Sequence, residues 1–233
     1  MTNLIAREDP KSPVSEAFRT IRTNIQFSGV NNSLKTIVFT STTPDEGKST
    51  VVANLGIVMS QAGNKVILLD CDFRNPTQHK IFKLHNKGLS NCVATGNDVF
   101  DIIQSSGTPG LDILTSGPVA PNPSEILASG RMKEVLEELK SKYDYVLIDM
   151  PPILPVTDAA VLASSVDGVI LLTAWNHINP SMAKEAKTRL EQAGANILGV
   201  ILNKVEVTTH SYGHGYGYGY YYHYGHEEEK DAK

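Results

Sequence analysis

A short loop, residues 41–50, has the sequence STTPDEGKST. The residues at its end are the ones in this sequence best suited to chemistry. Its Gly47-Lys48-Ser49 terminus matches the end of the phosphate-binding loop pattern, in which backbone N–H groups face phosphate oxygens, a lysine reaches the β- and γ-phosphates and a hydroxyl ligates Mg²⁺. Lys48 and Ser49 fill the last two roles, and we expect Lys48 to be exposed to the ligand rather than packed. The predicted contacts to the nucleotide are Thr43, Pro44, Asp45, Glu46, Gly47, Lys48, Ser49 and Thr50.

The loop departs from the pattern at its start, because Thr42 stands where the first glycine is usual. Taken alone, the match leaves open a plain connection between a strand and a helix. Two acidic strand ends favour the phosphate-binding interpretation, since ligands of open α/β sheets bind at the carboxyl ends of the strands.

These carboxylates belong to Asp70 and Asp72, in the segment LLDCDFR, and to Asp149, in LIDMPP. A lone aspartate after a strand is usually a turn or helix-cap residue, but three beside one phosphate loop match phosphoryl transfer, which needs a metal clamp and a carboxylate for the acceptor hydroxyl. We therefore predict a catalytic set of Lys48, Asp70 and Asp72, with one of the two aspartates as general base. Ser49, Asp72 and Asp149 are the predicted Mg²⁺ ligands, Asp149 through water.

Short, continuous apolar runs precede these carboxylates and recur along the chain, separated by helical patterns. Such runs are typical of strands buried on both faces of a parallel sheet. The sequence therefore predicts one α/β domain over residues 1–207, a doubly wound, mostly parallel sheet with helices on both faces. The predicted strands are residues 35–41, 66–70, 145–149, 169–173 and 198–202, the predicted helices are 12–28, 48–62, 131–142 and 180–193, and residues 76–111 are assigned only loosely.

The predicted helix over residues 12–28 has two different sides, and Ser12 suits its N-cap. Apolar side chains recur on one side, at Val14, Phe18, Ile21 and Ile25. With the angular spacing of an α-helix, Glu16, Arg19 and Arg22 fall within one sector of about 120° on the other side. These three charges predict either a solvated face or a contact surface.

Length and composition limit the possible partners. A chain of 233 residues with 41% hydrophobic residues is long enough for one substantial core, and its formal net charge of -4 lacks the basic footprint of nucleic-acid binding. The most apolar stretch, residues 161–175, is too short and too polar to span a bilayer. The isolated Cys71 and Cys92 predict neither a disulfide framework nor a zinc cluster. We expect a cytoplasmic protein without a nucleic-acid partner.

Residues 208–233 are rich in tyrosine, glycine and histidine and lack periodicity, which predicts a disordered tail. Seven of the nine tyrosines lie there: Tyr212, Tyr216, Tyr218, Tyr220, Tyr221, Tyr222 and Tyr224. Core packing does not explain them, because the interleaved glycines favour neither helix nor strand, whereas a flexible segment can enter a neighbouring molecule as a substrate. A sticky low-complexity module and metal binding through His210, His214, His223 and His226 remain alternatives.

Together, the TSTTPDEGKST loop, LLDCDFR and LIDMPP resemble the loop and the two acidic motifs of bacterial tyrosine kinases, the BY-kinases of polysaccharide synthesis, and the resemblance covers nearly the whole chain. It implies an ATP- and Mg²⁺-dependent protein tyrosine kinase of the P-loop class that autophosphorylates its tail tyrosines. In that family, the E-x-x-R-x-x-R motif, here Glu16, Arg19 and Arg22, is associated with self-assembly. The resemblance also implies that Asn203 contacts adenine. Asp45 stands where the family usually has a glycine.

The resemblance further implies partners: a separate transmembrane activator of the polysaccharide chain-length regulator type, which would recruit the chain to the inner face of the cell membrane, further copies of the chain, and a cognate tyrosine phosphatase. We expect the tail to be phosphorylated in trans, between subunits. Two other functions remain open. One is a ParA/MinD-type ATPase, whose loop carries an extra lysine that residues 42–44 lack, and the other is an ATP-gated scaffold.

Overall fold

A computed structural model describes residues 4–29 and 34–206 of the chain. Its centre is a seven-stranded sheet with helices on both faces, as the apolar runs predict. The strands are β1 (Thr36–Ser41), β2 (Val66–Asp70), β3 (Gln104–Thr108), β4 (Leu111–Leu114), β5 (Tyr145–Asp149), β6 (Gly168–Ala174) and β7 (Ile197–Asn203). The predicted tail, residues 208–233, lies outside the described residues.

The order of the strands, β3-β4-β2-β5-β1-β6-β7, confirms the doubly wound prediction. All neighbouring pairs are parallel except β3 and β4, which are antiparallel. From the central β1, the chain crosses to β2 on one side, and it later returns from β5 to β6 on the other. The carboxyl ends of these central strands therefore form the crevice in which such sheets bind ligands.

Nine α-helices are described, and they divide between the two faces. They are α1 (Ile5–Glu8), α2 (Pro13–Ser28), α3 (Lys48–Gln61), α4 (Gln78–Ile81), α5 (Leu89–Thr95), α6 (Pro123–Ala128), α7 (Gly130–Lys142), α8 (Asp158–Ala163) and α9 (Pro180–Gln192), with a 3₁₀ turn at Val99–Ile102. One apolar core joins the sheet to α1, α2, α3 and α4, and a second joins the opposite face to α5, α6, α7, α8 and α9.

Helix α2 begins as predicted, because the Ser12 side chain accepts a hydrogen bond from the N–H of Ser15. Phe18 and Ile25 are buried in the core, but Val14 is 53% exposed, so its predicted place on the apolar face is wrong. In this first turn it is Ser15 that faces the protein, where its hydroxyl donates to main-chain carbonyls of the preceding segment. Val14 is left beside the contact rather than in it.

The prediction that every apolar run is buried on both faces fails at β7. This strand lies at the edge of the sheet, and its Val200 and Leu202 side chains are about half exposed. Helix α9 packs on the second core through Ala186 and Leu190 and leaves these side chains uncovered. An edge strand can therefore carry the same continuous apolar run as a central strand.

The loosely assigned residues 76–111 form α4, α5, the 3₁₀ turn and the edge strand β3. None of the described helices is long and apolar enough to cross a membrane. Cys71 and Cys92 are both buried and unpaired.

Candidate active site

The phosphate loop is fixed from outside by side chains that bind three consecutive carbonyls. The Pro44 carbonyl lies 3.3 Å from His177 Nε2, the Asp45 carbonyl accepts from Lys204 Nζ at 2.6 Å, and the Glu46 carbonyl accepts from the Asn203 amide at 2.8 Å. Among residues 4–29 and 34–206, the N–H groups of Asp45 and Gly47 donate no hydrogen bond. These unpaired donors precede the N-terminus of α3, which is the arrangement that binds anions.

Two residues of the loop adopt the left-handed backbone region. Gly47 has φ +87°, and a Cβ added there would lie 2.5 Å from the Asn203 amide nitrogen. Asp45 has φ +63°. Glycine adopts this conformation without steric cost, and aspartate is one of the few other residues that tolerate it. The left-handed conformation at this position is therefore compatible with aspartate.

Glu46 braces the loop with its side chain instead of facing a ligand. The buried carboxylate accepts hydrogen bonds from the N–H and the hydroxyl of Thr43, at 2.7 and 2.6 Å, and from the N–H of Ala174 in β6, at 3.1 Å. The prediction that Glu46 contacts the nucleotide is thereby limited to its main chain. Its carboxylate ties the loop to the sheet.

Lys48 is not exposed, contrary to the prediction, because it is 7% accessible and forms an ion pair with Asp149 Oδ1. The ammonium group also lies 3.3 Å from Ser49 Oγ. Asp149 is fully buried at the end of β5, and its other oxygen accepts from the Gln78 side chain at 2.7 Å. A buried ammonium needs an anionic partner, and the Asp149 carboxylate supplies it, which explains why Lys48 packs inward.

Asp70 is the last residue of β2 and Asp72 follows the strand, and the two carboxylates differ in burial and in hydrogen-bond partners. Asp70 is fully buried and pairs in register with Asp149, while its Oδ2 accepts the N–H groups of Thr77 and Gln78, each at 2.9 Å. Asp72 is 8% accessible and accepts from the N–H of Asn75 through Oδ1 at 2.9 Å. The structure therefore brings both predicted aspartates to the loop, but Asp72 lies nearer to the surface.

Burial controls the protonation of this acidic group. Desolvation, followed by repulsion from Asp149, raises the pKa of Asp70 to about 7, although hydrogen bonds from Gln78 and Thr77 and the charge of Lys48 oppose the rise. Desolvation also raises the pKa of Asp72, against the attraction of Lys48. Three carboxylates thus lie near a single ammonium group, and a further cation would favour their ionised forms.

Two residues that follow Asp72 in the chain, Arg74 and Gln78, make contacts that were not predicted. Arg74 forms a bidentate ion pair with the buried Asp158 at the start of α8, at 2.8 and 3.0 Å, and Ser124 Oγ donates to the same carboxylate at 2.6 Å. A role for Arg74 could have been suspected from the sequence, because Arg74 belongs to the LLDCDFR motif. A role for Gln78 could not, because an isolated glutamine after a turn has no distinctive spacing.

The predicted assembly residues lie on α2, away from this site. Glu16 and Arg19 pair with each other on the exposed side, and Arg19 also donates to the Pro10 carbonyl at 2.7 Å. Arg22 donates to the Val58 carbonyl of α3 at 3.2 Å, so it belongs partly to the packing of the two helices.

The donors near Lys48 fit a magnesium ion bound together with a nucleotide. They are the Ser49 hydroxyl and the carboxylates of Asp72 and Asp149, which are hard oxygen ligands. The part of the chain that the structure describes contains no preformed group of three or more histidine, cysteine, aspartate or glutamate side chains able to hold a metal. Mg²⁺ in phosphoryl-transfer sites does not need such a group, because substrate phosphates and water complete its coordination.

Known proteins are similar to this one over most of the chain. Residues 34–179 match a family model described as an AAA domain. The chain is 43% identical over 210 residues to the tyrosine-protein kinase YwqD of Bacillus subtilis, and the aligned region covers 90% of this chain and 89% of that protein. The solved kinase domain of the Escherichia coli tyrosine kinase ETK is 36% identical, with a TM-score of 0.85 over 93% of this chain and 86% of that one.

The septum site-determining protein MinD of Pyrococcus horikoshii has the same fold but is less similar. It is 28% identical, with a TM-score of 0.60 over 72% of this chain and 70% of its own. The similarity to the kinases is greater in identity, in coverage and in superposition. With its nucleotide-binding loop and acidic strand ends, the chain belongs to the family of bacterial tyrosine-protein kinases built on a P-loop domain.

Proposed function

We propose that the chain transfers the γ-phosphate of ATP, with Mg²⁺, to tyrosine hydroxyls, and that its own C-terminal tyrosines are its first substrates. The main observation behind this proposal is that the Lys48 ammonium lies near the carboxylates of Asp70, Asp72 and Asp149, beside the loop at the carboxyl ends of the strands. Phosphoryl transfer depends on positioning and charge neutralisation, and these residues supply both.

Lys48 has to change partners during this reaction. A triphosphate cradled by the N–H groups of the loop would offer Lys48 a stronger anion than Asp149, and Lys48 would then neutralise the β- and γ-phosphates. Asn203, which already lies against Gly47, is the proposed adenine contact. When bound, Mg²⁺ would be held by Ser49 and Asp149, with Asp72 beside them, and would supply charge neutralisation on the phosphate oxygens.

Asp70 and Asp72 have different parts in this proposal. Asp72 is 8% accessible, whereas Asp70 and Asp149 are fully buried, so of the three carboxylates Asp72 is the best placed to meet an acceptor hydroxyl or a metal-bound water. Asp70 is enclosed, and its oxygens accept the N–H groups of Asp72, Thr77 and Gln78, which supports a role in shaping the loop that carries Asp72.

The acceptors proposed for this site are the seven tail tyrosines between Tyr212 and Tyr224. The other two tyrosines are poor acceptors. The Tyr143 hydroxyl donates to Asp112 at 2.9 Å, and desolvation, followed by its hydrogen bond to Asp112, raises the pKa of Tyr143. Desolvation likewise raises the pKa of Tyr145, which lies in β5.

The proposed setting is the control of exopolysaccharide or capsule synthesis. A transmembrane activator of the chain-length regulator type would hold the protein at the inner face of the cell membrane, and a tyrosine phosphatase would reverse its modification. The resemblance to BY-kinases supports these partners. The kinship with YwqD and ETK supports the enzymatic part of the proposal.

The test is incubation of the purified full-length chain with ATP and Mg²⁺, followed by mass spectrometry for phosphotyrosine. We expect phosphate on the tail, and an Asp72→Asn variant should lose transfer by about a hundredfold or more while remaining folded. ATP hydrolysis without any phosphotyrosine would instead favour an ATPase of the MinD type or a scaffold.

A further inference from the structure

Gln78 contacts three parts of the active site, although no chemical role has been given to it. Its side chain is fully buried, and Nε2 donates to Asp149 Oδ2 at 2.7 Å and to the Ser49 carbonyl at 3.1 Å. Its main-chain N–H donates to Asp70 Oδ2 at 2.9 Å. This residue therefore joins the first turn of α3 to the ends of β2 and β5.

We propose that Gln78 is a positioning residue, which keeps Asp149 in its orientation when Lys48 leaves that carboxylate for the nucleotide phosphates. The inference rests on the proposed function, because it is phosphate binding that removes Lys48. It assigns the two oxygens of Asp149 to different tasks.

The two oxygens already have different partners. Lys48 binds Oδ1, whereas Gln78 binds Oδ2. Once Lys48 has moved, a carboxylate without a second anchor could rotate about its terminal torsion, which is soft. Gln78 prevents that rotation by keeping Oδ2, so Oδ1 stays turned towards the side of Lys48 and Ser49. The amide carries no charge, so it neither competes with a cation for the carboxylate nor repels one.

The donor role of Gln78 is fixed by its surroundings. Nε2 lies between two acceptors, and exchanging the amide oxygen and nitrogen would place an oxygen against both of them. Gln78 Oε1 is buried and has no hydrogen-bond partner among the described residues. Such a loss is tolerated here because the other end of the amide makes two bonds, one of them to a charged group.

The backbone of Gln78 is held independently of its side chain. The N–H remains bound to Asp70, and the next turn is anchored by Ile81 and Phe82, which are buried in the first core. A substitution of the side chain should therefore disturb Asp149 while leaving α4 and Asp70 in place.

The experiment compares full-length wild-type chain with Gln78→Met, which has a similar length but no donor. The matched control is Gln104→Met, since Gln104 lies on the edge strand β3 and its Nε2 donates to the His85 carbonyl. Binding of a fluorescent ADP analogue is titrated against Mg²⁺, and the melting temperature is recorded for each protein. Gln78→Asn, whose amide is withdrawn by one methylene, replaces Gln78→Met if the latter does not fold.

We expect Gln78→Met to require about tenfold more Mg²⁺ for half-maximal nucleotide binding, as is usual when a partner of a metal-site residue is removed. Nucleotide binding in EDTA should match wild type, and Gln104→Met should match it in both conditions. In an Asp149→Asn background, Gln78→Met should have no further effect, because Gln78 acts through Asp149.

An unchanged Mg²⁺ requirement in a folded Gln78→Met protein would contradict the inference, and so would an equal additional loss in the Asp149→Asn background. Failure of the proposed function has a different signature. In that case the wild-type chain yields no phosphotyrosine, whatever the Mg²⁺ requirement for nucleotide binding.

Discussion

Among the individual residues, Lys48 can pair with either of two anions, the Asp149 carboxylate or the phosphates of a bound nucleotide. Only Asp149 belongs to the protein. Its ion pair with Asp149 is buried, so desolvation offsets much of the attraction between the charges. Removing one partner is nevertheless costly, because the other is left as an uncompensated buried charge. The contact thus holds the site together without binding Lys48 so strongly that phosphate cannot displace Asp149.

This balance predicts how the pair responds to substitution. Lys48→Met should lower the free energy of unfolding by about 3 kcal/mol, because it leaves Asp149 beside Asp70 and Asp72 without a cation. The double variant Lys48→Met/Asp149→Asn should recover part of that loss, because the fully buried Asp149 charge is removed together with its partner, while Asp70 and Asp72 still lack a cation. Urea unfolding measures both values.

Neither variant should form phosphotyrosine. A double variant no more stable than Lys48→Met would mean that the pair is not what stabilises the site. Phosphotyrosine at the wild-type rate in either protein would remove Lys48 from the catalytic set.

Among the elements, the sequence specifies the centre of the fold better than its margins. Strands β1, β2, β5 and β6 lie between neighbours and under helices on both faces, so each contains a continuous apolar run and their pattern is distinctive. Strand β3 has the sequence QSSGT at an edge, where polar residues and a glycine are tolerated, and nothing in it indicates a strand. Strand β7 differs from β3, because its apolar pattern predicts a strand correctly but wrongly predicts that both of its faces are buried.

The candidate site divides in the same way. Lys48, Ser49 and the three aspartates could be predicted because their chemistry requires fixed residue types next to a strand or a loop. Gln78 could not, because its role depends on which atoms the folded chain brings near its amide. The inward position of Lys48 could not be predicted either, since it results from a partner that lies 101 positions away in the sequence.

The ion pair between Arg74 and Asp158 connects the segment after β2 to helix α8. Burial by itself would raise the pKa of Asp158, but hydrogen bonds from Arg74 and Ser124 lower it below its ordinary value. Stability from such a depressed pKa is complete above the value of the unfolded chain, near about 3.9, and is lost as pH falls through the lower value of the folded protein.

Arg74→Ala should therefore cost about 2 kcal/mol of unfolding free energy at neutral pH. The expected loss is below that for a fully buried pair because the Arg74 side chain is 43% exposed. The difference from wild type should narrow as pH falls and Asp158 becomes protonated. Urea unfolding at several pH values measures it.

Lys187→Ala, which removes an exposed pair with Glu191, is the control and should cost no more than about 0.5 kcal/mol. A loss in Arg74→Ala that stays constant from neutral to acid pH would show that Asp158 does not depend on Arg74 for its charge.

For the whole molecule, the face of α2 that carries Glu16, Arg19 and Arg22 is the predicted surface for self-association. Replacing all three with alanine should lower the mean mass measured by light scattering. Tail phosphorylation should do the same, because added anionic charge repels between neighbouring subunits. Arg22 also binds the Val58 carbonyl, so the melting temperature has to be recorded for the same sample.

A variant with Lys187 and Glu191 replaced by alanine changes an exposed charged pair on α9 and should leave the mass unchanged. If the triple variant of α2 is folded and its mass distribution equals that of wild type, these three residues form a solvated face and not an interface.

The most direct test of the central claim is transfer of phosphate between two versions of the whole chain. One is inactive, carrying Lys48→Met and Asp149→Asn with an intact tail, and the other is active but has all seven tail tyrosines replaced by phenylalanine. After mixing with ATP and Mg²⁺, mass spectrometry should find phosphate on residues 212–224 of the inactive chain, at an initial rate that rises with the concentration of the active one. No phosphate on that tail, while wild-type chain alone is labelled at a rate independent of its concentration, would contradict transfer between subunits, and no label on wild type would contradict the kinase itself.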